Sequence, residues 1–478
     1  MERCAGVLCP MFSVPANQGI GDLGQKTVRM IDCIADSGYH VWQILPLQAK
    51  GRSHSPYHAL SSFAGDPIYI NLDRLCEMGL LTQSSITNCN KFKDRVDYET
   101  VRVFKNEYFR RAFKAFKKNY DSFKEDFEYF EKTAFWLEDW AVYQLFRSLN
   151  SERPWIEWDE EYRNYPLYKE VDLSEYEDEL FYTKFLQFIF YKQFDDIVMY
   201  AHAREITLIS DVAFVNYDSA DVWTNRFDFL LDENGNPKAL NNCTYHMPIH
   251  DFKRQLIDGF SFWKKRIRWL SRCFDVAKID YYTIINDYLK IDEMVDYEEF
   301  KDLIHSLLIM IKHEFPGFHL IVEGLEKICD DFEFGMTNVD VLLDRMKVKE
   351  LKKSVRKDSV LYTSTQNHET INQAYYGYDN NHRISLRRFL KKQGYTERNF
   401  NDMICHFALD SAADICILPI WDICGYKEEA RLNKPNEEDE LNWTWKLKDF
   451  KNFPKDLMKT KEWIQKAGRW GIQNHLGF

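Results

Sequence analysis

The sequence predicts an α/β fold, a (β/α)8 TIM barrel with a helical insertion between its second and third strands. Three observations lead there. Short apolar runs of strand type alternate with helical patterns, which suggests a parallel sheet. Eight such runs occur, the number that closes a barrel. The gap between the second and third is too long for a plain crossover and carries a helical aromatic stripe. A chain of 478 residues is long enough for one large domain of this kind.

The first four runs are GVLCPMF from Gly6, VWQILPL from Val41, ITLISDVAFV from Ile206 and FDVAKID from Phe274. The next four are FHLIVEG from Phe318, DVLLDRM from Asp340, SVLYTSTQN from Ser359 and DICILPIWD from Asp414. After the first run, GIGDLG (Gly19 to Gly24) superficially suggests a nucleotide loop. It reads instead as a tight turn before the first helix, with Asp22 near that helix's N-terminus. In the helix, Val28, Ile31 and Ala35 share one face, and Gly38 is placed as its C-terminal stop.

The insertion is assigned to residues 74–190. Phe109, Phe113, Phe116, Tyr120, Phe123, Phe127 and Phe130 step by alternating fours and threes, the spacing of one apolar helical face. Lysines and arginines lie between them, but the strict periodicity favours a packed amphipathic helix over a nucleic-acid surface. The barrel then comprises residues 1–73 and 191–425. Residues 426–478 form a charged C-terminal segment that packs on it, helical around MKTKEWIQKAG.

Composition narrows the partners. Aromatic residues make up 16% of the chain, and aromatics both build cores and stack on sugar rings. The net charge of −12, without a Lys/Arg block, argues against nucleic acid and anionic membranes and suits a neutral substrate. The 11 cysteines are scattered and odd in number, the pattern of free thiols in a reducing compartment. MERCAGVLCPMF lacks a signal-peptide layout, and no run of 18 apolar residues predicts a membrane span. A cytoplasmic protein is expected.

In barrels of this type the active site lies at the C-terminal strand ends. Asp211 ends the third run, Asp280 the fourth and Glu323 the fifth, and Asn367 closes the seventh. Two carboxylates on neighbouring strands are what retaining glycosyl transfer needs. One attacks the anomeric carbon; the other protonates the leaving oxygen and then activates the acceptor. The first must stay ionised and the second needs a raised pKa. A single acid at a strand end reads as a salt bridge, whereas acids on consecutive strands point to chemistry. His368-Glu369 lacks the second histidine of a zinc helix site, and there is no GxSxG elbow.

These residues, with GIGDLG, WQILPL, SPYHALSSFAGDP, YDSADVW, EARLNKP and NWTWKL, resemble the amylomaltases, the 4-α-glucanotransferases of glycoside hydrolase family 77. The resemblance runs from the N-terminus to about residue 445. It implies a (β/α)8 barrel acting on α-1,4-glucans such as maltooligosaccharides, with no metal and no organic cofactor. By motif, Asp280 in KID matches the family's nucleophile and Glu323 in VEGLE its acid/base. Asn367 in TSTQN falls where the family has a third aspartate. Tyr57 in SPY and Asp211 match residues lining the donor-sugar site, flanked by Lys278 and Gln366.

The departures cluster at this site. Lys278 stands in place of an arginine, Tyr281 and Gln366 of histidines, Thr283 of an arginine and Gly324 of an aspartate. A two-residue slip would set His368-Glu369 over the family's His-Asp, but the ungapped alignment also matches Thr365 and Thr370. The glucan-gripping loop is shortened to NNCTYHMPIHDFKRQLIDGF (241–260), and NDYLKI replaces the stretch after the nucleophile. The resemblance thus implies a 4-α-glucanotransferase with weak or lost turnover, or a pseudoenzyme that binds glucan or a protein partner.

Overall fold

A computed structural model describes the chain except residues 1–2, 52, 87–91, 240–245, 281–296, 324–334, 337, 436, 438 and 470–478. For Asp280, Tyr297 and Met336 it describes the backbone alone.

The strands are β1 (Cys4–Leu8), β2 (Val41–Ile44), β3 (Thr207–Asp211), β4 (Val276–Asp280) and β5 (His319–Glu323). They continue with β6 (Gly335–Met336), β7 (Asn338–Val341), β8 (Ser359–Tyr362) and β9 (Ile415–Pro419). All pairings are parallel, in the order β6-β5-β4-β3-β2-β1-β9-β8-β7. Only residue 337 separates β6 from β7. β6 pairs with β5 and β7 with β8, so the two share the sixth station and the sheet forms a nearly closed barrel. β1, β2, β3, β8 and β9 are buried along their whole length, as expected of parallel strands covered on both faces.

The sixth strand is the one shifted from its expected place. DVLLDRM contributes only Asp340 and Val341 to β7, and Leu342–Arg345 form a 3-10 turn. The leucines that suggested a strand belong to that turn; Leu342 is buried there, so apolarity alone misplaced the element.

The first helix, Gln25–Asp36, ends before Gly38, whose φ of +84° suits glycine. Its buried face is Thr27, Met30, Ile31 and Ile34; Val28 and Ala35 lie at the margin. Gly19–Gly24 has the literal spacing GxGxxG, yet no strand leads into it and Asp22 fills the turn. Asp22 does not cap the helix. It is buried, accepting from Asn71 Nδ2 at 2.9 Å and pairing with Lys105 Nζ at 3.5 Å.

The insertion packs helices Tyr98–Lys118, Lys124–Thr133, Leu137–Leu149 and Glu177–Ala203 beside the barrel. The aromatic stripe is one face but not one helix. The chain turns at Asn119–Phe123, leaving Tyr120 and Phe123 half-buried. Phe116 sits at the centre, 4.9 Å from Phe185 and 6.0 Å from Phe188 between ring centroids. The boundary expected at residue 190 falls inside the long helix Glu177–Ala203, which runs on to β3. Gly65 marks the joint: a Cβ there would lie 2.2 Å from the Phe190 ring.

The described end of the C-terminal segment reaches the N-terminal ends of β1 and β9. The guanidinium of Arg469, fully buried, donates to the carbonyls of Leu409, Cys4, Asp414, Ser411 and Ala413 at 2.6–3.1 Å. No helix among the described residues is long and apolar enough to cross a membrane.

Candidate active site

Asp211, Asp280 and Glu323 are the last residues of β3, β4 and β5. Register sets their neighbours: Asp280 pairs with Glu323, and Asp211 with Lys278. Adjacent strands run about 4.8 Å apart, so the backbones carrying the expected nucleophile and acid/base stand side by side. The Asp280 side chain, Tyr281, Thr283, Gly324 and the NDYLKI stretch lie outside the described residues.

Lys278 is 7% exposed, and its Nζ donates to Glu323 Oε2 at 2.5 Å. Burial works to lower its pKa, but the carboxylates of Glu323 and Asp211 outweigh burial and hold it well above the usual lysine range. Lys278 is therefore a fixed positive charge at the strand ends. The Glu323 side chain is 38% exposed and remains open to solvent on its other side.

Asp211 is buried within a hydrogen-bonded cluster. Its Oδ2 accepts from the Tyr57 hydroxyl at 2.5 Å and its Oδ1 from Gln43 Nε2 at 2.8 Å. Gln366 Nε2 donates to the Tyr57 oxygen at 2.7 Å and lies 3.4 Å from Asp211 Oδ2. The Tyr362 hydroxyl donates to Gln43 Oε1 at 2.7 Å. Tyr57 packs its ring edge against Trp443 of the NWTWKL motif, centroids 5.8 Å apart. Strands β2, β3 and β8 or their following loops thus meet here with the C-terminal segment, from residues hundreds of positions apart.

The structure brings together four of the expected residues, Tyr57, Asp211, Lys278 and Gln366, near Glu323. Gln43 and Tyr362 were not anticipated. A polar side chain inside the apolar run VWQILPL was the available signal for Gln43, since a buried amide demands partners. Asn367 differs from its neighbour Gln366: it is exposed, and its Oδ1 accepts from Asn433 Nδ2 at 2.8 Å. His368 bonds Thr365 Oγ1 at 2.7 Å and lies 3.3 Å from Asp344, while Glu369 lies 3.6 Å from Arg431. Gln366, rather than His368, lies beside Asp211.

The segment 241–260, expected to be a shortened loop, is described from His246 onward. His250 and Pro248 bridge antiparallel to Phe229 and Ala239, followed by a short helix Phe252–Ile257. His246 and His250 stand four apart, a spacing shared with zinc helices, but Pro248 lies between them and the segment is extended. His250 is buried against Phe229, Phe252, Phe262 and Trp263, and burial brings its pKa down to about 3. Among the described residues no group of three or more His, Cys, Asp or Glu side chains is placed to hold a metal ion.

A nearly closed parallel barrel with acids ending three consecutive strands defines the class: a (β/α)8 barrel whose candidate site lies at the C-terminal strand ends. The chain is a member of the 4-alpha-glucanotransferase family, glycoside hydrolase family 77, whose model matches residues 9–452. It is 27% identical to the 4-alpha-glucanotransferase of Aquifex aeolicus, over 97% of this chain and 98% of the relative. It is 25% identical to the chloroplastic/amyloplastic 4-alpha-glucanotransferase of Solanum tuberosum, over 98% of this chain and 87% of the relative. The fold superimposes on amylomaltase from Streptococcus agalactiae with a TM-score of 0.84 at 20% identity, covering 98% of this chain and 100% of the other.

Proposed function

We propose that this chain disproportionates α-1,4-glucans such as maltodextrins by retaining double displacement, with turnover below that of an ordinary family member. The observation that carries the reading is the register pairing of Asp280 with Glu323 at adjacent strand ends. In this reading the Asp280 carboxylate attacks the anomeric carbon. Glu323 gives its proton to the departing glycosidic oxygen, leaving a covalent glycosyl ester. Glu323 then takes the proton of the acceptor hydroxyl, which attacks the same carbon, frees Asp280 and restores the configuration. Tyr57, Asp211 and Gln366 line the donor-sugar site. The two carboxylates carry both steps, so the chemistry requires no metal or organic cofactor. The eight described cysteines are unpaired, which supports a cytoplasmic setting.

Two features lower the rate in this reading. Lys278 ties Glu323 through Oε2, so only Oε1 is left to meet the glycosidic oxygen and the carboxyl cannot turn freely toward it. Asn367 supplies an amide where a carboxylate would stabilise the positively charged transition state. The Lys278–Glu323 contact also favours a second reading, a glucan- or protein-binding pseudoenzyme. Incubation with maltotriose separates them. Glucose and longer maltooligosaccharides, absent with Asp280→Ala, establish transfer. Maltotriose binding without products establishes the second reading, and neither binding nor products removes both glucan readings.

A further inference from the structure

The eighth apolar run, DICILPIWD, also ends in an acid, Asp422, which neither the carboxylate pair nor the donor-sugar cluster uses. It lies on the short helix Ile420–Ile423 that follows β9, and it is 1% exposed. A carboxylate so buried is costly unless donors satisfy it. Burial pushes its pKa up to about 6, against the pull of three hydrogen bonds and of His368.

Those three donors come from one loop. Asp422 Oδ2 accepts from the hydroxyls of Thr363 and Ser364, both at 2.6 Å, and its Oδ1 accepts from the Ile371 N–H at 2.8 Å. Thr363 and Ser364 follow β8 directly, and Ile371 opens the helix Ile371–Gly377. One carboxylate therefore fastens both roots of the loop 363–371. The Ser364 oxygen also accepts from Trp421 Nε1 at 2.9 Å, which leaves its hydrogen to Asp422. The tip of this loop carries the two side chains that diverge. Gln366 turns inward to the Tyr57 oxygen at 2.7 Å, and Asn367 turns outward to Asn433 at 2.8 Å. Both tip residues stand so near a root that a shift at either root moves them.

We propose that Asp422 is a positioning residue: by fastening both roots of the loop 363–371, it sets Gln366 against Tyr57 and Asp211 in the donor-sugar site. An amide in its place cannot serve both roots. With its nitrogen toward Ile371, it opposes one N–H with another. With its nitrogen toward Thr363 and Ser364, both hydroxyls must turn their hydrogens away, and Ser364 already has Trp421 as a donor on its other side. The effect on transfer rests on the glucanotransferase reading, whereas the placement of Gln366 does not.

Maltotriose transfer by the full chain tests the coupling, measured for wild type, Asp422→Asn, Gln366→Ala and the double variant. Asp422→Asn should lower kcat/KM by about 10²-fold, the cost of misplacing a site group by about 1 Å. In the Gln366→Ala background the same substitution should cost less than about 3-fold, because the group it places is gone. A loss of equal size on both backgrounds marks a general weakening of the fold and overturns the proposal. So does an Asp422→Asn protein as active as wild type. The crystal structure of Asp422→Asn supplies a readout free of activity. Gln366 Nε2 should leave hydrogen-bond reach of Tyr57, and its retention at 2.7 Å overturns the proposal. Should Asp422→Asn fail to fold by circular dichroism, Thr363→Val removes one of the three bonds and is read by the same two measurements. It should lose about 10-fold, and only while Gln366 is present. Wild type without turnover removes the glucanotransferase reading, and the crystal structure then decides the placement by itself.

Discussion

Replacing Lys278 by methionine removes an ammonium from between two carboxylates while keeping most of the side-chain stem. Breaking a fully buried ion pair by deleting one partner costs about 3–5 kcal/mol. Here the ends are unequal. Glu323 is 38% exposed along its side chain, so water replaces much of what it loses. Asp211 is 6% exposed and keeps its bonds to Tyr57 and Gln43, so its charge is not stranded. The expected loss is therefore about 2 kcal/mol, below that of a fully buried pair.

The assay is urea denaturation of wild type and Lys278→Met across a pH series. The Lys278 pKa is raised above the unfolded lysine value of about 10.4. A raised lysine contributes stability that is fully present below the unfolded pKa and is lost as pH climbs through the folded one. The gap between the two proteins should be flat from about pH 6 to 9 and shrink only above about pH 10.4. No gap at neutral pH, or a gap that closes between pH 6 and 9, would refute the reasoning. Lys278→Arg should keep the stability and, by restoring the planar fork, raise maltotriose turnover.

Other outcomes follow from the same structure. Asn367→Asp should raise maltotriose turnover by about 10-fold, less than the 10²–10³ of a preorganised donor because the position is exposed; an unchanged rate would place the main lesion elsewhere. Phe116→Ala should destabilise by about 3–5 kcal/mol, because a fully buried ring at the centre of the aromatic cluster leaves a cavity; urea midpoints measure it. Arg469→Lys should lower the thermal midpoint, since an ammonium has three donors for the five carbonyls that the guanidinium serves. The His202 pKa is raised by its hydrogen bond to Asp275, so that contact stabilises below about pH 6.5 and fades as pH rises through the folded value. The stability difference between wild type and His202→Phe should accordingly be larger at pH 5.5 than at pH 8.

The barrel was legible because parallel strands buried on both faces are continuous apolar runs, and all eight runs overlap strands at their expected stations, the sixth by two residues only. The sixth slipped because Leu342-Leu343 are as apolar as a strand while their backbone turns as a 3-10 element. The aromatic stripe predicted a shared face but not the break at Asn119–Phe123, since the spacing carries on across the turn. At the site, motif residues could be named one by one, but their partnerships could not. The Lys278–Glu323 bond joins residues 45 positions apart, and the Gln366–Tyr57 bond joins residues 309 apart. Only the folded barrel decides that Gln366 turns inward to Asp211 while Asn367 turns outward to Asn433.

The contrast that the resemblance implies, scaffold motifs kept and site residues altered, can be set against where the motif acids lie. Asp66 of SPYHALSSFAGDP takes a two-pronged bond from Arg102 on the first insertion helix. Asp22 of GIGDLG pairs with Lys105 on the same helix. Asp218 of YDSADVW accepts from Arg147 at 2.6 Å and from the Tyr143 hydroxyl at 3.0 Å, both on the helix Leu137–Leu149. Asp221 of the same motif holds the Ser62 N–H at 2.6 Å. Each is a buried or half-buried charge whose partner lies on another part of the chain, and deleting one partner of such a pair strands the other. Three of the four fasten the insertion to the barrel. At the strand ends the penalty is uneven: it is weaker at Glu323 and Asn367, which reach solvent, than at the buried Asp211, Lys278 and Gln366. The motif acids thus serve the joint between barrel and insertion, where losing a partner costs stability whatever happens at the mouth.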